Sequence, residues 1–378
     1  MQYIKFGKQD FNVSRFGMGC MRMPSKIISE GKRKIDEDES IKMIRYAIDH
    51  GVNYFDTAYA YGDSELVVGK ALSEGYREKV KLATKLPSWE IKSYGDFNKY
   101  LDEQLKRLQV EFIDIYLLHA MRQTYWENYK KLDVFKFLDE AKKQGKIVCA
   151  GFSFHDQLAL FKEIVDCYNW DMCQIQLNYL DEHMQAGLEG LHYSASKSLP
   201  VVIMEPLKGG SLVNNLPSEV TELLKEDGSG INPVRLALRY LYSLPEATVI
   251  LSGVSSMEQL KEDIEIFNSM PSGPLNDKEL MLINRVRDLI KSKIVIGCTG
   301  CGYCMPCPSG VAIPDLFKLY NDVCMFNQLK VSKIFYQDVF ISGKKDASQC
   351  TECEHCEEKC PQRLEIIKGL KDVRKLLG

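Results

Sequence analysis

The sequence predicts a closed (β/α)8 barrel followed by a small, mainly helical, cysteine-rich domain. Three observations predict it. Eight short apolar runs alternate with amphipathic helical stretches as far as residue 270. The segment Pro271-Ser272-Gly273-Pro274 then breaks the alternation. After it, eight of the 13 cysteines fall in two tight clusters.

The runs Phe16–Gly19, Asn53–Phe55, Val80–Ala83, Phe112–Leu118, Lys146–Gly151, Asp171–Ile175, Val201–Met204 and Thr248–Leu251 are short and β-rich, as strands buried on both faces are. Helical spacing of apolar residues between them predicts helices over Glu39–His50, Asp96–Leu108, Asn128–Gln144, Asp156–Tyr168 and Pro233–Leu244. Eight such units in this length fit a closed TIM-type barrel. An open doubly wound sheet is the alternative, and no run is followed by the G-x-G-x-x-G turn that such sheets use for dinucleotides. Beyond the break, a helix is expected over Asp277–Lys291, with Asn276 or Asp277 capping its first turn. The expected division is therefore a barrel over residues 1–292 and a cysteine-rich domain over 293–378.

A net charge of −3 gives no reason to expect nucleic-acid binding, which usually needs a basic surface. No apolar run reaches the roughly 18 residues that span a bilayer, and MQYIKFGKQD lacks the basic region followed by an apolar stretch that marks a secretory signal. A cytoplasmic protein without nucleic-acid or membrane partners is the expectation.

In a β/α barrel the chemistry sits where strands end. The second run leads into Asp56, the third into Lys85 and the fourth into His119. One polar strand end is ordinary, but an Asp, a Lys and a His on three successive strands is a constellation. Tyr61 lies five residues beyond Asp56 in the loop Ala58-Tyr59-Ala60-Tyr61-Gly62. Hydride delivery to a carbonyl creates an alkoxide that needs a proton and nearby positive charge. A tyrosine, with a pKa of about 10, donates more readily beside an ammonium that favours its phenolate. Lys85 would supply that charge, Asp56 would hold Lys85, and His119 would orient the substrate oxygen.

The segments Asn53-Tyr54-Phe55-Asp56-Thr57-Ala58, Tyr61-Gly62, Thr84-Lys85 and Leu117-Leu118-His119 together resemble the Asp/Tyr/Lys/His tetrad of the aldo-keto reductases. Phe16-Gly17-Met18-Gly19 and Glu205-Pro206-Leu207-Lys208-Gly209-Gly210 are similar to that family as well. The resemblance implies a TIM barrel, NAD(H) or NADP(H), metal-free carbonyl reduction or alcohol oxidation, and Tyr61 as proton donor. It also implies cofactor contacts. Ser153 and Gln174 stand where the family holds the nicotinamide carboxamide, although Phe154 and His155 follow Ser153 where an Asn is usual. Met204 replaces the Tyr that stacks on the nicotinamide, and its polarizable thioether can pack on a ring. Glu205 and Leu207 in the loop after the seventh run, and Ser252 and Gly253 after the eighth, complete the implied set. The family's NADPH users place a Lys and an Arg after the eighth run, but here Gly253-Val254-Ser255-Ser256-Met257-Glu258-Gln259 carries no cation. The reading therefore leans to NADH, with Lys208 or a loop residue able to compensate. Asp263 replaces an Asn often found near the adenine.

The second cysteine cluster reads Cys350-x2-Cys353-x2-Cys356-x3-Cys360-Pro361, and the first Cys298-x2-Cys301-x2-Cys304-x2-Cys307-Pro308. The second matches the bacterial ferredoxin run, in which the fourth Cys ligates the other cluster. This resemblance implies a ferredoxin-like domain with two [4Fe–4S] clusters. One takes Cys298, Cys301, Cys304 and Cys360, and the other Cys350, Cys353, Cys356 and Cys307. Two four-cysteine zinc sites are the competing reading. Cys20, Cys149, Cys167, Cys173 and Cys324 lie in apolar patterns and are expected to be small buried hydrophobes.

Two functions follow. The first is a nicotinamide-dependent reductase of a small-molecule carbonyl, oxidising the alcohol in reverse, whose clusters staple or sense. The second is an electron-transfer protein linking nicotinamide or substrate to a ferredoxin or flavoprotein partner. Trp89, Trp126, Tyr125 and Tyr59 could wall the substrate pocket.

Overall fold

A computed structural model describes residues 1–29 and 32–378 of the chain. It divides into two compact units, Met1–Gly209 with Arg235–Leu275, and Gly210–Val234 with Asn276–Gly378.

The first unit is a closed barrel of eight parallel strands: β1 (Phe16–Gly19), β2 (Tyr54–Asp56), β3 (Lys81–Leu86), β4 (Ile113–Met121), β5 (Ile147–Phe154), β6 (Met172–Gln176), β7 (Val201–Met204) and β8 (Ala247–Gly253). Each strand pairs with its neighbours in sequence, and β8 closes on β1. Gly17 permits the closure: a Cβ there would stand 2.7 Å from side-chain carbons of both Val249 and Leu251. The interior is filled by Tyr54, Ala83, Ile115, Leu117, Cys149, Met172, Val202, Val249 and Leu251. Burial of this apolar surface stabilises the barrel at roughly 25 cal/mol per Å².

Two antiparallel hairpins were not predicted. Tyr3–Lys5 pairs with Asn12–Ser14, and Phe6 and Val13 of this segment pack into the barrel core. The Asn53 amide ties it to the start of β2, accepting from the Ser14 amide at 2.6 Å. The second hairpin, Ser25–Ser29 with Lys32–Ile35, follows β1.

The single helix expected over Asn128–Gln144 is two, Gln123–Lys131 and Val134–Lys143. Asp133 sits between them at φ 55°, a left-handed conformation that Asp tolerates and a helix cannot contain. Periodicity on either side hides such a break.

In the second unit, the helix Asp277–Lys291 forms as expected. Asn276 caps it, accepting from the Glu279 amide at 3.0 Å, and the Glu279 carboxylate accepts in return from the Asn276 amide at 2.9 Å. Helices Ile313–Phe326 and Ile366–Leu377 supply most of the unit's second core, through Leu316, Phe317, Leu370 and Val373. Among the described residues no helix is long and apolar enough to cross a membrane.

Candidate functional site

The ends of β2 and β3 bring Asp56, Tyr61 and Lys85 together. Lys85 is 1% exposed, and three oxygens surround its ammonium. It donates to the Asp56 carboxylate at 2.6 Å, the Thr57 carbonyl at 2.8 Å and the Tyr61 hydroxyl at 3.2 Å. Burial alone would lower the Lys85 pKa, but Asp56 and Tyr61 outweigh it and raise it, so the ammonium stays charged. Burial raises the Tyr61 pKa against the opposing pull of Lys85, which keeps the phenol protonated through the neutral range. A protonated phenol thus lies within hydrogen-bond reach of a buried ammonium.

His119 comes from β4, its ring edge-on to Tyr61 with centroids 6.0 Å apart. Burial first, then Lys85, His155 and Arg122, hold its pKa well below 6.5, so the imidazole is neutral. Its Nδ1 is buried without a hydrogen-bond partner, so the ring that meets Tyr61 edge-on keeps one nitrogen that no protein group occupies. Trp89, 42% exposed, tilts against the same imidazole at 5.5 Å and so stands beside the tetrad. Trp126 is buried and donates to Glu163 at 2.6 Å. Tyr59 is engaged too, bonding Glu103 and meeting Tyr100 edge-on.

A buried polar network supports the tetrad, and sequence reasoning missed it. Glu65 accepts from Thr84 and Gln104, each at 2.7 Å, and pairs with Arg107 at 2.8 Å. Gln104 also donates to the Lys85 carbonyl at 3.1 Å, and Arg107 donates to the Gly62 carbonyl beside Tyr61. The signal was present: Gln104 sits on the apolar stripe Phe97, Tyr100, Leu101, Leu108 of the helix Tyr94–Leu108. A polar side chain at a core position needs buried partners.

The expected cofactor residues lie on the adjoining strands. Ser153 and Gln174 are register partners on β5 and β6, and the Gln174 amide nitrogen is 3.6 Å from the Met204 sulfur on β7. Ser153 Oγ accepts from the Ala120 amide at 2.8 Å. Gln174 Oε1 is buried with no partner, as an acceptor reserved for a carboxamide N–H would be. Glu205 is exposed, Leu207 is half-buried, Ser252 is buried and Gly253 is exposed. The donors and acceptors present therefore fit a nicotinamide. Lys208 is bonded to Asp181 at 2.9 Å, and its side chain is only 10% exposed.

In the second unit Cys298, Cys301, Cys304 and Cys360 line one cavity together with Ile313, Phe317 and Ile366. Cys307, Cys350 and Cys356 pack on or within the same apolar core, and Cys353 is exposed. Among the described residues no three His, Cys, Asp or Glu side chains converge tightly enough for a single ion. Four thiols lining one cavity are the donor set that an iron–sulfur cluster takes. Of the other cysteines, Cys20, Cys149 and Cys173 are buried as expected, but Cys167 is exposed and Cys324 partly so. Cys167 ends the helix Leu158–Cys167, and its thiol turns back to the Ile164 carbonyl at 3.0 Å.

Residues 15–287 match the aldo/keto reductase family, and residues 297–365 match the 4Fe-4S dicluster domain. The chain is 38% identical over 166 residues to probable aldo-keto reductase 1 of Glycine max, a match covering 40% of this chain and 45% of that protein. It is 26% identical over 318 residues to the NADH-specific methylglyoxal reductase of Escherichia coli (strain K12), covering 71% of this chain and 94% of that protein. The solved holo form of an aldo-keto reductase from Bacillus halodurans superimposes with a TM-score of 0.63 at 25% identity, covering 76% of this chain and 96% of that one.

Proposed function

Since the chain belongs to the aldo/keto reductase family and carries a 4Fe-4S dicluster domain, we propose that this oxidoreductase reduces a small aldehyde or ketone with NAD(P)H, and oxidises the alcohol in reverse, with Tyr61 as proton donor. The observation that carries the reading is the Lys85 ammonium bonded at once to Asp56 and Tyr61. Residues 1–292 would do this chemistry and residues 293–378 would hold two [4Fe–4S] clusters, with Cys360 completing the set Cys298, Cys301 and Cys304, and Cys307 the set Cys350, Cys353 and Cys356.

The bound nicotinamide supplies the hydride; the protein's part is the proton and the geometry. Gln174, Ser153 and Met204 would seat the ring. Neutral His119 hydrogen-bonds the carbonyl oxygen, Tyr61 gives that oxygen its proton, and Lys85 stabilises the phenolate left behind. Asp56 keeps Lys85 charged and in place. Without a cation across Gly253–Gln259, NADH is the favoured cofactor, and the likeness to an NADH-specific reductase supports the same choice. Methylglyoxal, the substrate in that relative's name, is the assay substrate to try first. Tyr61→Phe is expected to lower kcat by at least about 100-fold, the scale of general-acid catalysis, while NADH binding followed by fluorescence is unchanged. Equal turnover in the variant would remove the acid role.

One observation favours a second reading, electron transfer to a ferredoxin or flavoprotein. Cys301 and Cys353, one from each implied ligand set, are exposed, so clusters held there would lie within reach of a carrier. Adding NADH, then NADPH, to anaerobic protein with oxidised clusters distinguishes the two. Prompt bleaching with an electron paramagnetic resonance signal supports electron transfer; unchanged clusters support a self-sufficient reductase.

A further inference from the structure

We propose that Arg22 clamps the pyrophosphate of the bound dinucleotide, supplying from the first strand the positive charge that the segment after the eighth strand lacks. The proposal rests on the reading of the barrel as NAD(P)H-dependent.

Arg22 ends the 3-10 turn Cys20–Arg22 that leaves β1. Gly19 of β1 is the register partner of Gly253 at the end of β8, so this turn begins beside the loop that follows β8. The arginine stem runs over Gly253: a Cβ there would lie 3.6 to 3.8 Å from Cδ, Cβ and Cγ of Arg22. Its guanidinium reaches Gly209, in the loop after β7, where a Cβ would lie 3.2 Å from Nη2. Gly209 has φ 66°, a left-handed conformation natural to glycine, so Gly209 leaves backbone open beneath the guanidinium and Gly253 leaves it open beneath the stem.

The loops after the seventh and eighth strands are where β/α barrels recurrently bind phosphate. Across Glu205–Gly210 and Gly253–Gln259 the only basic residue is Lys208, and it is committed to Asp181. Arg22 is exposed, and among the described residues no hydrogen bond or ion pair holds its guanidinium. A planar fork of donors with no protein partner, lying over a glycine in a phosphate-binding loop, suits bidentate recognition of phosphate oxygens. The group contacted is the bridging pyrophosphate and not the 2′-phosphate. The guanidinium lies at Gly209 after β7, whereas the family's 2′-phosphate cations occupy the segment after the eighth strand. Arg22 would therefore serve NADH and NADPH alike.

The test is binding to the full-length, cluster-loaded protein, measured by calorimetry with NADH, NADPH and ADP-ribose. ADP-ribose keeps the pyrophosphate and lacks the nicotinamide. Arg22→Gln is expected to raise all three dissociation constants by the same factor, about 10- to 100-fold, the loss expected when a charge-assisted contact is removed. Arg22→Lys should recover part of that loss, and the wild-type dependence of NADH affinity on salt should flatten in Arg22→Gln. Loss confined to NADPH would place Arg22 on the 2′-phosphate and overturn the proposal. So would an unchanged affinity for ADP-ribose, or unchanged affinities throughout. Wild-type protein that binds none of the three would overturn instead the nicotinamide reading beneath it.

Discussion

The barrel mouth and the cysteine loops hold their reactive groups in different ways. At the mouth, protein holds protein: Lys85 has three oxygen partners, and the Glu65, Gln104 and Arg107 network braces the chain at Lys85 and at Gly62. In the cysteine loops, Cys298, Cys301, Cys304 and Cys360 face a cavity and not one another's partners. Loop glycines at positive φ, Gly300 and Gly302, turn the chain between them. A site made by packing is complete before its ligand arrives and can be preorganised for a transition state. A site made of thiols on loops gains its rigidity from the metal it ligates, so its folding is linked to that metal. The mouth also announces its ligands by what it leaves unpaired: His119 Nδ1 and Gln174 Oε1 are buried acceptors or donors without protein partners.

The largest effect that would break this contrast lies in the loops. Cys360→Ser removes one of the four thiols around the cavity. It is expected to cut the iron of anaerobically purified protein from about eight atoms per chain to about four, because two clusters of four would become one. Iron that stays near eight would take Cys360 out of the cavity's ligand set. Iron that falls to none would mean that the two sets do not load independently.

The contrast also explains what was legible in the sequence. Strand positions were, because apolar β-rich runs seen against helical spacing are a strong local signal; β1 and β7 form over the residues predicted for them. The convergence of Asp56, Lys85 and His119 followed from one topological rule, that parallel barrel strands end on the same face. The bracing network did not, because Glu65 and Gln104 meet through the packing of two helices 39 positions apart. Arg22 was missed for a similar reason: it lies near Gly209 only because the barrel closes β8 on β1. The break at Asp133 was hidden because one left-handed residue leaves the apolar spacing on both sides intact.

The smaller effect sharpens the comparison from the barrel side, at a carboxyl whose second oxygen has no protein partner. Asp263, on the helix Met257–Ser269, is 3% exposed and bonded to Ser252, yet its Oδ2 is unpaired. Burial raises its carboxyl to about 7, with Glu262 adding to the rise and the Ser252 bond opposing it. An unfolded Asp titrates near 3.9, so between about 4 and 7 the folded chain keeps a proton that the unfolded chain has lost. Folding stability from this group is therefore fully present below about 4 and is lost as pH rises through 7. Asp263→Asn keeps the shape and removes the titration. Its melting temperature is expected to match that of the wild type near pH 4 and to exceed it at pH 8 by several degrees, for a gain on the order of 1–4 kcal/mol. A difference that did not widen with pH would show that Asp263 is already ionised in the folded barrel. The mouth would then have satisfied this carboxylate too, as it satisfies Lys85.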